Sequence, residues 1–287
     1  MARLMALVSN RPDLASHVVL AEREALRARG RGAPLGWGLG FYQGDEVLIR
    51  RRPCEEGPEV DLAAQASQVR ADLLVGQVRA ATHGGLRTEN THPFRFRQWL
   101  FAQTGAIPAF DAARERLVDA LPAFLRGQVQ GETDAEVFFF LMLSFLHDRG
   151  ALEPGAGRAR APSMVRDALV ETLAMVDGVV SEVGAPRASL NCVVATGSYV
   201  VALSAGAPMA YRVFAGRADV EALARDDDAL RRSPELESAR CVLLASDFDD
   251  EWSLAASSPV AEPRWKSAPE RAILVLSRGE KPEIHKM

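Results

Sequence analysis

The sequence predicts an α+β fold built on antiparallel strands. Short apolar runs with strand character lie towards both ends of the chain, at 3–9, 73–81, 190–196, 199–204, 240–246 and 272–277. Two turns, Gln43-Gly44-Asp45 and Gly197-Ser198, join neighbouring runs in the way hairpins require. Between the two groups of strands, the middle of the chain carries its apolar residues at helical spacing.

Taken in order, 3–9 reads as a buried strand. Pro12 suits the first turn of a helix over 12–29, with Leu14, Val18, Ala21, Ala25 and Leu26 on one face and Gly30 as its stop. Its basic tail, Arg23, Arg27, Arg29 and Arg31, reads as a solvated face. The glycines at 36, 38 and 40 are spaced as in a phosphate loop, but the run leads into a strand and opens no helix. A hairpin over 36–42 and 47–49 is the better reading. Residues 61–72 and 110–125 read as helices. Thr133 and Glu136 have capping-box spacing ahead of an apolar helix over 137–147. The triplet Phe138-Phe139-Phe140 within it reads as core. A Gly-, Arg- and Pro-rich loop over 150–162 is where an internal boundary would fall in a domain otherwise spanning 1–287. An amphipathic helix over 164–183 and a strand at 209–214 complete the reading, and 219–238 is charged without clear periodicity.

At 287 residues, 48% hydrophobic, the chain can bury a large core. A net charge of −4 leaves no electrostatic footprint for nucleic acid. Cys54, Cys192 and Cys241 are odd in number and widely spaced, which favours a reducing compartment over a disulfide framework. The longest apolar run, 137–143, is far short of the ~20 residues of a membrane span. A soluble cytoplasmic protein is expected, with no nucleic-acid or membrane partner.

The chain is organised around 75–110. A strand-like run carrying Gln77 and Arg79 enters a loop with Thr82-His83-Gly84-Gly85. An Asn90-Thr91-His92-Pro93-Phe94 corner then leads to a second apolar run ending Gln103-Thr104-Gly105. This stretch resembles the core of the class II glutamine amidotransferases, which are N-terminal-nucleophile hydrolases. The resemblance covers most of the chain and is most specific at 1–10, 36–42, 75–110 and 131–136. It implies a four-layer αββα sandwich whose two antiparallel sheets pack face to face.

The resemblance also implies roles. In the family an arginine at the position of Arg79 grips the substrate carboxylate. An aspartate at the position of Asp134, in Gly131-Glu132-Thr133-Asp134-Ala135-Glu136, binds the amino group of glutamine. Taken alone, Arg79 reads as an internal salt bridge and Asp134 as a helix cap. In these positions ligand contact is the expectation, with Thr82, His83, Trp37 and Gly38 beside it. Leu35 stands where the family usually has an aspartate next to Trp37 and Gly38.

The catalytic parts differ. The family begins Met-Cys-Arg-Leu, and removal of the methionine exposes a cysteine whose thiolate attacks the amide while its own α-amine acts as base. This chain begins Met1-Ala2-Arg3-Leu4, and a methyl group cannot attack a carbonyl. An Asn-Gly pair forms the family's oxyanion hole; Thr104-Gly105 replaces it here. Thr104 retains a hydroxyl that can donate a hydrogen bond. Gln77 and Gln103 stand where the family usually has histidines. No cofactor is expected. No carboxylate cluster accompanies His83 and His92, so no metal site is expected either. The expectation is a binding protein for glutamine, a γ-glutamyl compound or another amino-acid-like ligand. Two other readings stay open. One is a γ-glutamyl amide hydrolase with an unconventional nucleophile. The other is a scaffold or partner subunit, as a homodimer or in a biosynthetic assembly.

Overall fold

The computed structural model describes residues 2–27, 34–54, 60–80, 83–153, 161–223, 227–232, 236–248 and 264–287. The strands are β1 (Arg3–Ser9), β2 (Gly36–Gln43), β3 (Glu46–Pro53), β4 (Leu73–Arg79), β5 (Phe94–Phe96), β6 (Trp99–Ala106), β7 (Ser189–Ala195), β8 (Tyr199–Ala205), β9 (Met209–Ala215), β10 (Arg240–Ser246), β11 (Lys266–Ser267), β12 (Ala272–Ser277) and β13 (Glu283–Lys286). One sheet runs β11-β9-β10-β1-β4-β2-β3 and the other β13-β12-β8-β7-β6-β5. The pairings are antiparallel. Strands from before and after 150–162 are hydrogen-bonded in both sheets.

The helices are α1 (Leu14–Ala21), α2 (Arg23–Leu26), α3 (Leu62–Ala66), α4 (Phe110–Asp119), α5 (Ala123–Arg126), α6 (Asp134–Asp148), α7 (Pro162–Glu182), α8 (Gly216–Leu223) and α9 (Asp228–Arg231). Side chains alternate across a strand, so each sheet has two faces to cover. Met5 and Leu7 of β1 pack with α1, α3 and α8 on one side. Leu4, Ala6 and Val8 point the other way, towards Leu100 and Ala102 of β6, Val200 and Ala202 of β8 and Leu274 of β12. Phe101 of β6 and Val194 of β7 face α4, α6 and α7. The result is the four-layer αββα sandwich. The run 138–140 lies wholly in the layer covered by α6, where Phe139 stacks on Phe101 at 5.1 Å between ring centroids.

Several element boundaries differ from the sequence reading. The helix expected over 12–29 is interrupted at Glu22, whose carboxylate is drawn to Arg212 and to the Trp265 indole N–H at 2.9 Å. Gly30, Arg29 and Arg31 lie outside the described residues. The 61–72 helix ends at Ala66, with Asp61 as its N-cap accepting from the Ala64 N–H at 3.0 Å. The 110–125 helix breaks before Pro122, which lacks an amide hydrogen and biases its predecessor away from helix. Helix α6 starts three residues earlier than read, at Asp134. Strands β5, β11 and β13 were not read; they have two to four residues each, and β13 is half charged.

Candidate ligand site

Strand alternation assembles the site. Leu4, Ala6 and Val8 of β1, Leu73 and Val75 of β4, and Leu100 and Ala102 of β6 face the space between the sheets. Stepping two residues along each strand places Ala2, Gln77, Arg79 and Thr104 on that face at one end of the sandwich. The end is closed by the start of α6. The outcome is a cavity of about 40 Å³ lined by Ala2, Gln77, Arg79, Ala80, His92, Gln103, Thr104, Gly105, Thr133, Asp134 and Ala135. Space of that size holds about three water molecules.

Residues distant in sequence thus meet as the family pattern implies, but their bonding has particulars. The Arg79 guanidinium is 3% exposed and makes no salt bridge among the described residues. It donates to three backbone carbonyls of the following loop: His83 at 2.7 Å, Gly84 at 2.8 Å and Gly85 at 3.0 Å. Of its five N–H groups, two are left. Asn90 ties the same loop to the start of α6. Its amide donates to the Gly85 carbonyl and to Glu132 Oε2, and its Oδ1 accepts from the Glu132 N–H at 2.8 Å.

The Gly131–Glu136 stretch is a local lock. Thr133 caps α6 by accepting from the Glu136 N–H at 3.3 Å. The Glu136 carboxylate does not complete a reciprocal box; it accepts from the N–H groups of Gln130 and Gly131 at 3.0 and 2.7 Å. Asp134, one residue inside the cap, accepts from the Ile107 N–H at 2.8 Å. Burial pushes its carboxyl above the usual range, opposed chiefly by that hydrogen bond.

Thr104 is the point where the sequence expectation needs correcting. Its hydroxyl lies 3.1 Å from Ser246 Oγ, and Ser246 in turn donates to the carboxylate of Asp247. A serine has one hydroxyl hydrogen. With that hydrogen on Asp247, Thr104 must donate to Ser246, so it presents lone pairs, not a hydrogen, to the cavity. It is therefore an acceptor where the family has an amide donor. Gly105 keeps its left-handed backbone at φ 84°, and a side chain there would lie 2.2 Å from the Ser189 carbonyl oxygen.

His92 is 5% exposed, and its ring is tilted against that of Phe94 at 4.6 Å between centroids. Neither ring nitrogen has a partner among the described residues. Gln77 Oε1 and both polar atoms of the Gln103 amide are likewise unpartnered among the described residues, while Gln77 Nε2 donates to the Gln103 carbonyl at 3.1 Å. Five buried, unsatisfied polar atoms around one small space are costly in a folded chain and mark a place where a polar occupant would be held.

Three other candidates fall away from the cavity. Alternation turns Trp37 to the helix side of its sheet, where Arg50 lies 5.2 Å above the ring. Gly38 backs onto the His92 carbonyl. The His83 ring packs on Phe110 at 5.1 Å, while its carbonyl serves Arg79. Thr82 lies outside the described residues. Ser246 and Asp247 went unread because nothing local links them to Thr104, 142 residues away. The parity of Val242 and Leu244 does place Ser246 on the inner face.

His92 makes the site sensitive to acid. Burial, then Arg79 and Arg51, push its imidazole down to about 3 from 6.5. Between those values the unfolded chain binds a proton that the folded chain refuses, so stability rises with pH across the window and is lost as pH falls below 6.5. Moving from pH 8 to pH 5.5 should cost about 1 kcal/mol through this residue. Urea unfolding of His92→Gln at both pH values should show a correspondingly flatter profile than the wild type; equal slopes would contradict it.

The comparisons with known proteins now decide the family. The model of the glutamine amidotransferases class-II family matches residues 1–285. The chain belongs to that family. Among curated proteins it is 30% identical over 121 residues to the probable glutamine amidotransferase DUG3 of Saccharomyces cerevisiae, covering 40% of this chain and 34% of that one. It is 23% identical over 272 residues to an uncharacterized Methanocaldococcus jannaschii protein, MJ1515, covering 89% of this chain and 64% of that one. The chain thus spans between a third and two thirds of these relatives. Among solved structures, a glutamine aminotransferase class-II domain protein from Silicibacter pomeroyi superposes with a TM-score of 0.60 over 99% of both chains, at 18% identity. The glutamine phosphoribosylpyrophosphate amidotransferase of B. subtilis gives 0.54, with 99% of this chain on 49% of that one. Both likenesses bear on the fold.

Proposed function

We propose that this class II glutamine amidotransferase-like chain binds an amino-acid-like ligand and does not hydrolyse glutamine by the N-terminal-nucleophile route. The observation that carries the reading is the company Ala2 keeps. Its methyl group lines the same cavity as Arg79, Thr104, Gly105 and Asp134. The groups that would hold a zwitterion are gathered around a side chain that cannot attack. The Arg79 fork suits a carboxylate once it releases loop carbonyls, and Asp134 suits an ammonium.

A whole amino acid is larger than the cavity. Binding one therefore requires the 83–85 loop to give way, with Arg79 exchanging carbonyl acceptors for a carboxylate. The reducing, cytoplasmic setting rests on the cysteines: Cys192 and Cys241 are buried, and burial pushes both thiols far above the usual range. Among the described residues no helix is long and apolar enough to cross a membrane.

Titration calorimetry tests the reading. Glutamine, glutamate, a γ-glutamyl amide and a basic amino acid should include at least one that binds, and Arg79→Ala should weaken it by ~10- to 100-fold, as loss of a charge-assisted hydrogen bond implies. Hydrogen exchange over 83–90 should change in the complex. If none binds, the scaffold or partner-subunit reading replaces this one.

A further inference from the structure

We propose that Thr104 reads the far end of the ligand as a hydrogen-bond acceptor, so that the pocket prefers an amino acid ending in an amine to glutamine or glutamate. The inference rests on the Arg79 and Asp134 clamp proposed above and names the ligand class for it.

The argument is a proton count. Asp247 has only lone pairs to offer, so Ser246 spends its single hydrogen on it. Thr104, 3.1 Å from Ser246 Oγ, then spends its own on Ser246. What faces the cavity from residue 104 is a pair of lone pairs. Gln77 adds a second acceptor: one of its two amide N–H groups is held by the Gln103 carbonyl, which fixes the amide and leaves Oε1 buried and unpartnered among the described residues. Both residues line the same space as Ala2. The Gln103 amide is free to offer either its oxygen or its NH₂ and adds no preference.

The three candidate termini differ in what they bring. A γ-carboxylate has only acceptors and would set lone pairs against lone pairs. A glutamine amide can donate through its NH₂ and take the Gln103 NH₂ on its oxygen, but it brings no positive charge to the Asp247 relay. A terminal amine or ammonium can donate to both Thr104 and Gln77. The Asp247 carboxylate, one hydroxyl behind Thr104, supplies negative charge along the relay. L-Ornithine places its terminal nitrogen at the same chain position as the amide atoms of glutamine and is the natural probe.

Calorimetric titration of the full chain with L-ornithine, L-glutamine and L-glutamate is the test. Ornithine should bind about 10-fold tighter than glutamate, with glutamine between them. Ser246→Ala frees the Thr104 hydroxyl to turn its hydrogen into the cavity. It should narrow or reverse the preference for ornithine, although residue 246 does not line the cavity. Thr104→Val should weaken ornithine more than glutamine; a merely structural role for either residue would weaken all three alike. Glutamate or glutamine binding tighter than ornithine, or the same ratios in folded Ser246→Ala and Thr104→Val, would overturn the inference and leave the clamp standing. Binding of none of the three, or binding indifferent to Arg79→Ala, would overturn the clamp and the inference with it.

Discussion

Replacing Ala2 with cysteine and Thr104 with asparagine in one chain is expected to raise ammonia release from glutamine at least ~10³-fold over the wild type. Removing a nucleophile can cost ~10⁶ in rate, and removing one oxyanion donor ~10²–10³. The double variant puts back one of each in a cavity that already holds Arg79, Gly105 and Asp134. It also ends the donation from residue 104 to Ser246, which the wild-type hydroxyl cannot escape. Only part of the loss is recoverable, because Gln77 and Gln103 still replace histidines and the cavity stays small. The cysteine must become the first residue to supply its α-amine as base, and intact mass reports whether it has. Ala2→Cys alone should gain less, since the developing oxyanion would still meet lone pairs. A folded double variant with a free N-terminal cysteine and no activity above background would show that the rest of the machinery has also been lost.

The largest expected stability effect comes from Gly38→Ala, at more than ~3 kcal/mol by urea unfolding. A Cβ at that position would lie 2.0 Å from the His92 carbonyl oxygen and 3.0 Å from its carbonyl carbon. Both obstacles are backbone, so no rotamer change relieves them. Either β2 or the 90–94 corner must move, and the corner carries the cavity wall at His92. The same variant should therefore also abolish ligand binding. Gly178→Ala is the control. It lies in the interior of α7 with nothing within 4 Å of the added methyl, and is expected to stabilise by ~0.5–1 kcal/mol. A mild effect of Gly38→Ala would mean that the two elements are not held as closely as described.

Much of the fold was legible in local pattern. The turn at Gly44 and the one at Gly197-Ser198 marked hairpins that pair in register, Phe41 with Leu48 and Val194 with Val201. Part of what failed was decided by partners far away. Glu22 leaves its helix for Arg212 and Trp265, about 190 and 243 residues on, and no periodicity in 12–29 could announce that. The site divides in the same way. Ala2, Arg79, Thr104, Gly105 and Asp134 were legible because motif order and strand parity place them together. The direction of the Thr104 hydrogen bond was not, because it depends on Ser246, which arrives from another strand of the opposite sheet. Trp37 and His83 were misplaced because closeness in a motif says nothing about which face a side chain takes. The broken half of the capping box at Glu136 is a milder case: its spacing was right, but its carboxylate found the nearer N–H groups of Gln130 and Gly131.

The central claim is that the binding groups persist where the attacking group does not. Its most direct test is to incubate the wild-type chain, with Ala2 as first residue, with glutamine and separately with an electrophilic glutamine analogue. The account predicts ammonia release no faster than in a protein-free control and an intact mass unchanged by the analogue. A covalent adduct, or ammonia release that disappears in Arg79→Ala, would contradict it.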